Sequence, residues 1–267
     1  MLSIWVIMTM EWRKAFSYRV HFWINFLGDV LVQFGVAYFL WTAVYAYSEN
    51  KLLGGFSYSA ILLYSLCVPM IGKIVKGNEI GLISQEIYDG GLNRYLVYPI
   101  SFFKFKYSQR LAESLLFLVQ FGLMIVLYQV FWESPTDLLL SWQNSLRGLV
   151  VLGLAGVLFF FVNCIVELIA FWAEHIWSLM IMLRFVTNFL GGAMLPLSFF
   201  PEKWASILEW FPFYYLVGFP INTFLGRLSA GEWERGIVIL LGWILVSGAL
   251  AKVIWKKGVK QYTGIGI

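Results

Sequence analysis

Charge is scarce in this chain, and so are most of the residues from which enzymes build active sites. Only 13% of the 267 residues are charged, against about 25% in an ordinary soluble domain. There are two histidines, His21 and His175, and two cysteines, Cys67 and Cys164. No His/Cys/carboxylate cluster has metal-ligand spacing, and both cysteines lie in apolar runs, where a small buried hydrophobe is the plain reading. A phosphate loop is missing too. Gly72-Lys73-Ile74 lacks the upstream glycine and the Ser/Thr that would hold a metal, so the chain has no such route to ATP hydrolysis. No Ser/His/Asp set or carboxylate pair stands out, and an enzyme is not expected.

Apolar sequence is what the chain has instead. Hydrophobic residues make up 60% and aromatics 19%, and the net charge of +4 comes from basic residues flanking apolar runs. That placement fits membrane topology and not nucleic-acid binding. A crossing helix needs about 20 mostly apolar residues to span roughly 30 Å of hydrocarbon. The expected fold is all-α and polytopic, a single permease-like domain over 1–267. Six spans are expected at about 22–47, 56–75, 111–132, 146–171, 176–199 and 236–255. The lead-in, 1–21, lacks a signal-peptide cleavage site and is expected to be retained. Trp5, Met8, Trp12 and Phe16 share a helical face there, which fits either an interfacial helix or a simple cytosolic lead-in.

Lysine and arginine set the orientation. Thirteen of them lie on the side holding both termini and the loop between spans two and three, against five on the other, which puts both termini in the cytoplasm. The segment 207–228 is apolar but carries Pro212, Gly218, Pro220 and Gly226, so it reads as a broken, re-entrant pair of half-helices on the exterior side. Asp29, Glu113, Glu167 and Arg184 fall in or near spans, where ionisable groups need partners. Glu167 and Arg184 have similar expected depths and are expected to pair, with Asp29 competing for Arg184. Helix packing is the simpler role for this set and a substrate or proton relay the alternative. In the first span, Phe26, Val30, Gln33, Ala37 and Trp41 share a face that suits packing, a dimer wall or a pathway.

Two motifs carry a family resemblance. Glu86-x3-Gly90-x-Leu92-x2-Tyr95-Leu96-x2-Pro99 lies in the most basic loop, 77–106. Leu195-Pro196-Leu197-Ser198-Phe199-Phe200-Pro201, with Phe211-Pro212-Phe213 and Pro220-Ile221, lies between the last two spans. With the span count, they make the chain resemble the membrane permease of type-2 ATP-binding cassette (ABC) exporters, in a compact six-span subgroup of the bacterial inner membrane.

The resemblance implies a coupling helix docked on separate cytosolic ABC ATPase subunits. It also implies a second permease copy or paralogue packed through the first and fifth spans, and no cofactor on this chain, since ATP and Mg belong to the partner. The residues suit docking. Gly90-Gly91 permits a sharp turn, Ile83, Ile87, Leu92 and Leu96 offer apolar knobs, and Glu86, Asp89 and Arg94 offer charges, with Tyr95 between them and Pro99 closing the element. The exterior hairpin would rest on Pro196, Pro201, Pro212, Gly218 and Pro220. Two other functions stay open on the residues alone: an ion-gradient-driven secondary transporter, and a non-transporting membrane scaffold. Nothing in the sequence selects a substrate.

Overall fold

The computed structural model describes residues 4–49, 52–77, 81–97, 100–131 and 141–263. Among these the chain is all-helical, and the only strand-like pairing is an isolated bridge between Leu53 and Phe56. The helices are α1 (Ile4–Ser17), α2 (Arg19–Ala46), α3 (Tyr58–Lys76), α4 (Leu82–Tyr88), α5 (Leu92–Val97) and α6 (Phe102–Phe131). They continue as α7 (Trp142–Glu167), α8 (Trp177–Leu190), α9 (Glu202–Leu208), α10 (Gly218–Phe224) and α11 (Ala230–Gly258). Short 3-10 turns cover Leu168–Phe171, Leu197–Phe199 and Tyr214–Leu216.

Helix starts follow from local side chains. Ser57 accepts from the Ala60 N–H and Ser141 from the Asn144 N–H, each satisfying an amide that the first turn leaves free. Ser229 and Glu232 form a reciprocal capping box at the start of α11.

Among the described residues five helices are long and apolar enough to cross a membrane: α2, α3, α6, α7 with its 3-10 extension, and α11. The expected fifth span, 176–199, is not one continuous helix. It holds α8, whose 14 residues extend about 21 Å and fall short of a roughly 30 Å hydrocarbon layer. The reason is Gly191-Gly192. Gly192 adopts φ +84°, a conformation L side chains rarely take, and the chain turns away there. The third expected span begins earlier than its charges suggested, because Lys104, Lys106 and Arg110 lie on α6 itself. The segment 207–228 runs through the end of α9, the Tyr214–Leu216 turn and α10.

The bundle is organised around α3, the most enclosed of the five long helices, which packs against α2, α6 and α7. The α2 stripe faces inward in part: Phe26, Ala37 and Trp41 are buried, and Trp41 Nε1 donates to Ser65 Oγ of α3 at 3.1 Å. Gln33 of the same stripe stays exposed. Helix α1 lies along α6, where Trp12 Nε1 donates to the Ala112 carbonyl at 3.0 Å.

The segment after α8 is tied back to the core by Tyr64, whose hydroxyl donates to the Gly192 carbonyl at 2.7 Å, and by the Gly218 N–H, which donates to the Gly191 carbonyl at 2.8 Å. Helix α10 presses on α11 at a glycine: a Cβ on Gly236 would meet the Phe219 ring at 2.3 Å. Packing between membrane helices depends on such close approach at small residues.

Gly236→Leu should therefore destabilise the protein by about 1–3 kcal/mol, the usual cost of overpacking. Gly242→Leu, on the same helix with nothing within 4 Å, should leave stability unchanged. Thermal melting in detergent compares the two.

Candidate functional site

Helices α4 and α5 form a short hairpin between α3 and α6. Its turn is set by Gly90 at φ +69° and by Gly91, where a Cβ would meet the Glu86 carboxylate at 2.4 Å. Glu86 is the hub of the hairpin. Its carboxylate accepts from Arg94 Nη2 at 2.8 Å, from the Tyr95 hydroxyl at 3.0 Å and from Lys106 Nζ of α6 at 2.8 Å. Lys106 is 5% exposed and Glu86 13%, so this pair is shielded from screening in a way that a surface ion pair is not. Arg94 and Lys106 also stand 5.0 and 5.2 Å from the centre of the Tyr95 ring.

Partial burial pushes the Glu86 carboxyl upward. The hydrogen bond and charge of Lys106, helped by Tyr95 and Arg94, outweigh this and hold it below the usual carboxylate range. Burial, and then the hydrogen bond to Glu86, push the Tyr95 phenol up to about 12.

A second carboxylate fastens the hairpin from below. Glu167, at the end of α7 and 1% exposed, accepts from the backbone N–H of Ile83 at 2.5 Å and of Ser84 at 3.1 Å. Its other oxygen accepts from Asn163 Nδ2. The opening amides of α4 have no partner within their helix, so a carboxylate there satisfies them and meets the favourable end of the helix dipole. Around it Ile83, Ile87, Leu92 and Tyr95 are buried with Phe160, Cys164, Leu168, Phe171, Ile176 and Met180. The Tyr88 hydroxyl adds a bond to the Ala173 carbonyl at 2.9 Å.

The structure thus turns Ile83, Ile87 and Leu92 toward the chain's own core. Among the described residues the exposed surface consists of Gln85, Asp89, Asn93, Arg94 and Val97. The backbone of Leu96 lies in α5, and Pro99 is outside the described residues.

The other expected residues separate into two groups. Asp29 is ion-paired with Lys73 of α3, and Lys76 donates to Asn188 of α8. Arg184 feels the attraction of Glu167, whose hydrogen bonds go to Ile83, Ser84 and Asn163. On the other side of the chain, Pro196 and Pro201 precede the Leu197–Phe199 turn and α9. Pro212 precedes the Tyr214–Leu216 turn, while Gly218 and Pro220 fall in the first turn of α10, where proline's missing donor costs nothing.

Sequence reasoning missed Lys106, Lys73, Asn163 and Asn188 as partners. A signal existed for Lys73, since Asp29, an acid within a span, calls for a cation. Spacing alone does not say which lysine answers.

The sequence family described as ABC-2 family transporter protein matches residues 31–266, most of the chain and nearly every element described above. The chain belongs to that family. No curated protein and no solved structure gives a match. As an ABC-2 family member with five long apolar helices, it is a multi-pass membrane protein and a transport permease. Its place in such a system is that of a transport component, not a catalytic subunit.

Glu86→Ala in this ABC-2 permease should strand Lys106 and loosen the hairpin by about 1.5–3 kcal/mol, the range for hydrogen bonds to charged groups. Hydrogen exchange over residues 82–97 should accelerate accordingly. The pH dependence has a definite sign. Because the folded Glu86 pKa lies below its ordinary 4.5, its contribution is full above about pH 4.5 and disappears as pH falls through the folded value. Exchange protection of the hairpin should decline on acidification in the wild type, and Glu86→Ala should flatten that part of the profile.

Proposed function

We propose that this chain is the membrane permease subunit of an ATP-driven exporter, working as a dimer or with a paralogue and coupled to separate cytosolic ATPase subunits through the α4–α5 hairpin. The observation that carries the reading is how firmly the hairpin is held. An ordinary polar connector has no need of a buried carboxylate under its first amides or of a three-donor hub on its upper face. Such fastening suits a segment that is pushed from outside and must pass the displacement to α6 and α7. The exposed side, with Asp89 and Arg94 beside Gln85, Asn93 and Val97, offers a mixed-charge face that can set register with a partner.

In this reading both termini and the hairpin lie in the cytoplasm, as the basic residues favour, and the membrane is the bacterial inner membrane. Helix α8 with the segment running to Phe199 makes the fifth crossing in chain order and brings the total to six, and α9 and α10 form the exterior re-entrant hairpin. ATP and Mg are held by the partner. ATP-driven closure of the ATPases moves two opposed hairpins and alternates the access of the pathway between the two sides. The exposed apolar residues of α2 and α8, including Leu31, Val32, Met182 and Phe185, supply the surface for the second copy and for lipid.

Asp89→Lys tests the docking face, since Asp89 is exposed and the substitution leaves the hub intact. Co-purification of the ATPase and ATP-dependent flux should both fall at least tenfold, with hydrogen exchange of the hairpin unchanged. Full retention of both would contradict docking at this surface. Flux driven by an ion gradient without the ATPase would point to a secondary transporter instead.

A further inference from the structure

Helices α6 and α7 each pack along α3 and hardly against one another, which leaves a cleft of about 240 Å³ between them. Ile74 of α3 forms its floor, Leu115 and Leu118 one wall, and Leu149 and Leu152 the other. The α7 wall is set back at Gly153 and Gly156, where an added Cβ would meet nothing within 4 Å. Aromatic contacts bound the cleft at both ends. Tyr107 meets Phe160 at 5.2 Å on the hairpin side, and beyond Leu118 and Leu149 the Phe224 ring meets Phe121 at 5.3 Å and lies on Gly148.

The polar groups of the cleft gather at the hairpin end. Tyr107 and Arg110 line it there, and Arg110 Nη2 donates to the carbonyl of Val75, one residue before the end of α3. Glu113, one turn along α6, attracts Arg110 and offsets its charge, and the Ser114 hydroxyl is satisfied by the Ile74 carbonyl at 2.7 Å. From Arg110 to Leu118 the cleft runs about 12 Å at 1.5 Å per residue. That is most of the ~15 Å that one leaflet contributes to a roughly 30 Å hydrocarbon layer.

The rim continues into exposed apolar faces, with Leu115 and Val119 on α6 and Leu146 and Leu149 on α7. On a multi-pass membrane protein a continuous apolar face of this kind meets acyl chains. A second copy has a better place, because α2 is the least enclosed of the long helices and offers it a more open apolar face.

We propose that the α6–α7 cleft holds one acyl chain of a bilayer phospholipid from the leaflet on the hairpin side, with the lipid's ester region beside Tyr107 and Arg110. Moving a chain from the bilayer into the cleft gains no hydrophobic energy, since lipid tails are as apolar as leucine. Dispersion holds it instead: a floor and two walls touch the chain on three sides, and an unfilled cleft forfeits those contacts. Recognition is of the chain and not of a headgroup charge. The bound chain is a wedge that keeps α6 and α7 apart. The inference needs both helices to cross the bilayer and does not rest on the exporter reading.

The test places the chain in nanodiscs containing phosphatidylethanolamine with a diazirine midway along one acyl chain, and maps the adducts by peptide mass spectrometry. Residues 111–118 and 149–156 should be labelled at least tenfold more than Leu245 and Val246, which are exposed on α11 and report the surrounding lipid. Phosphatidylglycerol carrying the same chain should label alike. Gly153→Leu and Gly156→Leu put a side chain into the cleft and should lower its labelling tenfold or more, while Gly242→Leu, in open space on α11, leaves it unchanged. Native mass spectrometry from mild detergent should show a phospholipid retained by the wild type and lost from Gly156→Leu.

Labelling of the cleft no greater than that of α11 overturns the site, and this is read on the unaltered chain whether or not a variant folds. Equal lipid retention in Gly156→Leu, at a wild-type melting temperature, overturns it as well. A tenfold preference for one headgroup would contradict recognition by the chain. A Gly156→Leu variant that changes its oligomeric mass and keeps its lipid would give the cleft to a second copy and end the proposal.

Discussion

A carboxylate almost fully removed from water has to find donors, and Glu167 finds them in the backbone of another element. Its bonds to the Ile83 and Ser84 amides join the end of α7 to the beginning of α4, and Asn163 completes its coordination. Burying such a charge is expensive unless its lone pairs are met, and a carboxylate that loses its donors is worse than an apolar side chain in its place. The arrangement is therefore close to all-or-none. Either the hairpin sits on α7 or a bare charge is buried. The apolar cluster around Ile83, Ile87 and Leu92, and the Glu86 hub reaching Lys106 of α6, follow from that seating and reinforce it.

The sequence makes the spans legible because hydrocarbon imposes length and composition on any helix that crosses it. It makes the hairpin legible as an interruption, through Gly90-Gly91 and the polar residues around them. The facing of its apolar residues is not legible. Ile83, Ile87 and Leu92 look alike whether they meet a partner or their own chain, since periodicity defines a face and not what covers it. The charge partners were obscured for a similar reason. Lys106 reads as one more basic loop residue until α6 is seen to begin at Phe102, and Asp29 is equally well placed for several cations until α2 and α3 are packed. The break after α8 lay in plain view at Gly191-Gly192, but the apolar run through it outweighed the two glycines.

The charges fall into two regions of the molecule. Acids at Glu86 and Glu167 build the hairpin and fix it to the bundle. Basic residues at Lys76 and Arg184 face the cavity between α2, α3 and α8. Glu167 belongs to both, bonded to the hairpin on one side and attracting Arg184 on the other. In the proposed exporter this gives a short physical connection between the surface where force enters and the cavity.

The central claim is that the hairpin and α7 move as one body. Spin labels at Gln85 and Leu149, both exposed, report the separation of the hairpin from the far part of α7 by pulsed dipolar spectroscopy in the assembled transporter. The account predicts the same distance distribution with and without ATP, even as distances between the two permease copies change. A shift of about one helical turn, ~5 Å, within a single chain would show that the hairpin slides on the bundle and would contradict it.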